Sequence, residues 1–132
     1  MDERLRRADA IAGRAAALDR RRGIEIAKAR ALIEDFVATM RTRGVPPGPL
    51  RARVPGRHVT YRTGHVGWYI RQNPSLAIGT GGEFYILDVP ASLRSRLFGA
   101  TVMPCDPPLV VGRGAKDGES IDLADLLRRA LP

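Results

Sequence analysis

Residues 24–49 read IEIAKARALIEDFVATMRTRGVPPGP, and the change of pattern inside this stretch decides the fold. Ile26, Ala29, Ile33, Phe36, Val37 and Met40 recur at three- and four-residue steps, the spacing that lines one face of an α-helix. Glu25, Lys28, Glu34, Asp35 and Arg41 fill the other side. Arg41 and Arg43 stand in the last turn, where the helix dipole favours cations. Gly44 offers the left-handed residue that ends many helices, and Pro46, Pro47 and Pro49 forbid continuation. The pattern predicts a helix over 24–43 that stops here.

Upstream, residues 2–22 also read as helix, on a thinner seam of Leu5, Ala8, Ile11, Ala15 and Leu18. The run Arg20-Arg21-Arg22-Gly23 interrupts that seam, with Arg22 and Glu25 on seam positions. Alanine favours the helix but has little area to bury. The expectation is a helical arm over 1–22, exposed or pairing as one strand of a coiled coil, beside a single domain over 23–132. The arm's arginines alternate with Asp2, Glu3, Asp9 and Asp19, and such mixed signs describe a solvated helix with internal ion pairs.

Downstream the period changes from helical to alternating. Residues 57–63, 66–72, 75–80 and 83–89 read as four short strands, with 50–54 as a further edge strand. Val66, Trp68 and Ile70 share one face, and Gly67, Tyr69 and Arg71 the other. Asn73-Pro74 and Thr80-Gly81-Gly82 are turn chemistry, and connections this short join antiparallel neighbours. A short helix within 90–99, brief strands at 100–103 and 109–111, and a final helix at 123–131 follow. Asp122 is placed to cap that last helix, with Ile121 packing on Leu126. The fold class expected is α+β. An antiparallel β-meander of four to six strands is covered on one face by the 24–43 helix and a C-terminal helix. The other face is expected to be open to water or a partner.

The totals fit that picture. The chain has 132 residues, 44% of them hydrophobic but only 5% aromatic, so one core of aliphatic side chains is expected. No apolar run is long enough to span a bilayer, and the arm's alanine-rich seam is too thin to insert, so no membrane partner is expected. Met1-Asp2-Glu3-Arg4 leads on without an apolar run, which predicts no secretory signal. Cys105 is alone, so no disulfide forms within the chain, and a reducing cytoplasm suits it.

The formal net charge of +8 suits an anionic partner. Nearly all the cations are arginine, a bias that GC-rich coding produces by itself, so their placement carries more meaning than their number. Between Val45 and Gly82 there is no Asp or Glu, while Arg51, Arg53, Arg57, Arg62 and Arg71 lie there with Tyr69 among them. Arginine forks grip phosphates and aromatic faces stack on bases, so these six residues are the candidate surface for RNA or DNA. Tyr69 and Arg71 share the face opposite Trp68, which reads as core. A loop at 112–118 offers Arg113, Gly114 and Lys116 as a possible anion cradle, although it matches neither phosphate-loop spacing.

No catalytic, cofactor or metal set stands out. His58 and His65 are separated by a turn's worth of chain, and Cys105 with His65 and Asp106 forms a triad only if folding brings them together. The leading expectation is a non-enzymatic basic module that binds RNA, DNA or a ribonucleoprotein. The alternative is an assembly subunit that engages a protein partner or its own copy through residues 1–43. A small enzyme built on Cys105 or the 112–120 loop is the third reading.

Overall fold

The computed structural model describes residues 2–112 and 120–132. Helix α1 spans Glu3–Thr42, 40 residues, which at 1.5 Å per residue is about 60 Å. It passes through Arg20–Gly23 without a break, contrary to the interruption the sequence suggests. One glycine costs only about 1 kcal/mol in a helix, and the arginines beside it are good helix formers. The Asp2 carboxylate accepts from the Arg4 backbone N–H at the start. At the end, Gly44 turns the chain with φ at 70°.

Four strands follow: β1 Gly48–Arg53, β2 Thr60–Tyr69, β3 Leu76–Gly79 and β4 Phe84–Ile86, antiparallel neighbours in the order β1-β2-β3-β4. The meander is therefore as expected in kind but differs in membership. The edge strand at 50–54 is β1, and the two strands read at 57–63 and 66–72 are one strand, β2. Gly64, with φ at 75°, lies in a bulge and not in a turn. Pro49 pairs with Val66 and Arg51 with Arg62, so β2 spends two extra residues there.

The sheet curls. Gly48, Gly67 and Gly79 sit side by side across β1, β2 and β3. A Cβ on Gly67 would collide with the Ile78 carbonyl, so the backbones approach as only glycine allows. Beyond β4 the chain reaches round to β1. The Arg53 N–H donates to the Leu87 carbonyl, the Val89 N–H donates to the Arg53 carbonyl, and Arg53 bridges Asp88 in parallel sense.

Two cores result. On the outer face, Trp68, Ile70, Leu76, Ile78 and Phe84 pack with Ala29, Ile33, Phe36, Val37 and Met40 of α1 and with the C-terminal helix α3, Leu123–Ala130. Phe36 meets Trp68 edge to face at 6.3 Å, and the indole N–H donates to the Val45 carbonyl. Inside the curl, Leu50, Ala52, Val54, Tyr61, Ala77, Tyr85 and Leu87 pack with Ala100 and Val102. The second face is thus not open as the sequence suggests: the chain's own 87–102 segment fills it.

The remaining elements close the edges. Helix α2, Leu93–Phe98, buries none of its side chains, so it borders the sheet without lying on it. Residues 100–103 form no strand, but the Ala100 N–H donates to the Arg62 carbonyl where β3 no longer reaches. Strands β5 Val110–Val111 and β6 Ile121–Asp122 pair with each other and lead into α3. Asp122 occupies the cap position with no side-chain cap bond, because the ladder with Val110 and the Leu123 N–H bond to Leu109 already set the entry. Ile121 and Leu126 join the same apolar cluster. No helix among the described residues is long and apolar enough to cross a membrane.

Candidate interaction surfaces

The six residues of the candidate nucleic-acid surface divide into three places. Strand alternation puts Arg51 and Arg62 directly opposite each other on the outer face of β1 and β2, both exposed. Like charges so placed repel, and the side chains turn apart. Arg51 Nε donates to Thr60 Oγ1 at 2.9 Å, while Arg62 reaches the Leu97 carbonyl. Arg53, on the same face, is neutralised by Asp88 at 2.6 Å. Arg57 is exposed in the tight connection of β1 to β2, where its N–H donates to the Val54 carbonyl.

Tyr69 and Arg71 lie elsewhere. Tyr69 belongs to the inner face of β2, in register with Ala77, and its hydroxyl accepts from the Arg51 backbone N–H at 2.9 Å. The residue is 38% exposed, yet it stands across the strand from the Arg62 side chain. Arg71 is half-buried beyond the end of β2, beside a groove of about 1000 Å³. Tyr69, Asp122, Asp125 and Arg129 line that groove with it, so the two predicted residues meet there among mixed charges. Arg113, Gly114 and Lys116 lie outside the described residues.

The conceivable triad is not assembled. His65 Nε2 is 2.7 Å from the Val102 carbonyl, which can only accept, so that nitrogen carries the proton. Nδ1 then accepts from the Tyr85 hydroxyl at 3.3 Å, and the two rings stack with centroids 4.4 Å apart. Burial pushes the Tyr85 hydroxyl above the ordinary tyrosine range, and the Glu83 carboxylate adds to the shift. Both nitrogens of His65 are thereby engaged in packing the inner core. Cys105 is exposed, and Asp106 pairs with Arg30 at 3.0 Å. His58 is exposed in the β1–β2 connection. No group of three or more metal-ligating side chains converges among the described residues.

Helix α1 carries an exposed apolar seam. From Glu3 to Glu25 no side chain is buried. Leu5, Ile11 and Leu18 of the seam are each more than half exposed, along the same helix whose later turns form the core. The seam was visible in the sequence as spacing. Whether a seam meets a sheet depends on where the sheet ends. No family model, curated protein or solved structure matches the chain.

Proposed function

We propose that the chain is an assembly module, in which a compact α+β domain carries a helical arm that pairs with a helix of another chain. The observation that carries this reading is the run of Leu5, Ile11 and Leu18, each 57–65% exposed along the arm. An isolated helix with so thin a seam is marginal in water, and a second helix laid on the seam stabilises it. Because α1 is continuous into the core, the domain fixes the direction in which the arm points. The alanines between the large residues let a neighbouring backbone approach to about 8 Å.

The test is the size of the native particle in extract from the producing cells. The expected result is a species larger than one chain that shrinks to monomer size in Ile11→Arg with Leu18→Arg. Monomer size for the unaltered protein would overturn the reading.

A second reading, binding to single-stranded RNA or DNA, is favoured by the Arg51–Arg62 pair. Two like charges held opposite each other on an exposed face are relieved by an anion between them. Retention of an oligonucleotide at low salt, lost as salt rises and lost in Arg51→Glu with Arg62→Glu, is its test.

A further inference from the structure

We infer that the arm's partner is a second copy of this chain, laid antiparallel, with Arg4 of each copy paired to Asp19 of the other. The inference rests on the assembly reading and names the occupant of its seam.

The argument starts from angles. At about 100° per residue, Ala8 and Ala15 lie within about 20° of each other and define the middle of the seam. Ile11 and Ala12 flank that line at about 50° on either side, and Leu5 and Leu18 border it at about 70° on either side. Arg4 and Asp19 are only about 30° off the line, on opposite sides of it. Both are therefore seam residues. Neither makes an ion pair within the chain among the described residues, although Glu3 and Arg7 nearby do.

A charge on a seam has to be answered by whatever covers the seam. Laying a second copy alongside in parallel register sets Arg4 on Arg4, Asp19 on Asp19 and Arg22 on Arg22. Every charged seam position then meets its own sign. Turning the copy end for end about a twofold axis between Ile11 and Ala12 changes each of these contacts. Arg4 comes level with Asp19 of the second copy, twice by symmetry, at the two ends of an apolar stretch. Ala8 comes level with Ala15 and Ile11 with Ala12. The two Arg22 side chains are carried roughly 30 Å apart. All of these positions lie on the part of α1 where no side chain is buried, since the first buried residue, Ala29, is further along. The same charges that favour the antiparallel register disfavour the parallel one.

The experiment is a charge swap in the full chain, read by sedimentation equilibrium. Wild type is expected to be a dimer. Arg4→Asp sets Asp against Asp19, and Asp19→Arg sets Arg4 against Arg. Each is expected to weaken dimerisation about tenfold or more, as removal of a close interfacial charge pair does. Arg4→Asp with Asp19→Arg restores the pair with reversed polarity and is expected to restore the dimer. Aspartate suits the first turn of a helix and arginine suits its interior, so helicity is preserved in all three and far-ultraviolet dichroism checks it.

A dimer that ignores the single swaps, or one that the double swap fails to restore, overturns the antiparallel register. A purified monomer, with a larger particle still present in native extract, overturns self-pairing and leaves the assembly reading standing. Monomer in both overturns the two together.

Discussion

Between Glu3 and Glu25, helix α1 buries no side chain, whereas between Ala29 and Met40 the same helix buries five. Spacing does not separate the two halves, since both repeat apolar residues at three- and four-residue steps on nearly one line. What separates them is size and charge on that line. The later half offers Ile33, Phe36, Val37 and Met40, large enough to fill the space above Trp68 and Ile78. The earlier half has alanines at its centre and Arg4, Asp19 and Arg22 beside them. A sheet surface of Trp, Ile and Leu gives such charges no partner, whereas a helix bearing opposite charges does. A helical period therefore marks a face that is to be covered, and the residues on the face mark what covers it.

Phe36→Ala presses hardest on this comparison. Phe36 is 3% exposed and packs on Trp68, so its truncation should cost roughly 3–5 kcal/mol, a large part of a small domain's stability. Calorimetry should show a melting temperature lower by many degrees. An unchanged value would mean that the later half of α1 is no more committed to the core than the arm.

Trp68→Phe sharpens the same side at lower cost. It removes the indole N–H that the Val45 carbonyl accepts and leaves a small void under α1. The expected loss is about 1–3 kcal/mol in denaturant unfolding followed by dichroism. A neutral result would show that water replaces the bond and that the helix C-terminus is looser than its packing suggests.

Most of the architecture is legible in the sequence. The 24–43 helix, its stop at Gly44 and the prolines, and the antiparallel meander all follow from period and turn chemistry. The misreadings share a cause, which is that glycine marks several things at once. Gly64 reads as a turn, but positive φ also serves a bulge, and β2 runs through it. Gly23 reads as a break, yet nothing packs against it and the helix tolerates the cost. The filling of the inner face could not be read at all, because it depends on the 87–102 segment turning back over residues distant in sequence. The candidate arginines shared that limit. Alternation correctly pairs neighbours such as Arg51 and Arg62 only once the bulge sets the register, and Arg71 falls beyond the strand's end.

Tyr85 tests the inner core with a pH titration. Its hydroxyl is raised above the ordinary tyrosine value by burial first and by Glu83 second. A group raised in the folded state contributes stability that is fully present below its unfolded pKa, about 10, and lost as pH climbs through the folded value. Unfolding free energy should therefore decline above about pH 10. Tyr85→Phe should flatten that decline, at the cost of leaving His65 Nδ1 without its donor. An identical alkaline slope in the variant would assign the titration to other groups.

The smallest effect belongs to the arm, and its smallness is the point. Ile11→Ser with Leu18→Ser removes two large side chains, as drastic a change in volume as many core truncations. Ile11 is 65% exposed and Leu18 60%, so little apolar area leaves or enters water when the domain unfolds. Surface changes of this kind fall within about 0.5 kcal/mol. Trp68 is the chain's sole tryptophan and sits under Phe36, so its fluorescence reports the domain and ignores the arm. Denaturant unfolding read at Trp68 should therefore give one midpoint for the variant and for wild type, under dilution where chains are separate. Raising the protein concentration should then move the wild-type midpoint upward and leave the variant's in place, since association stabilises only the chain that can associate. A variant midpoint as low as that of Phe36→Ala would place the arm's seam inside the fold and erase the distinction between the two halves of α1.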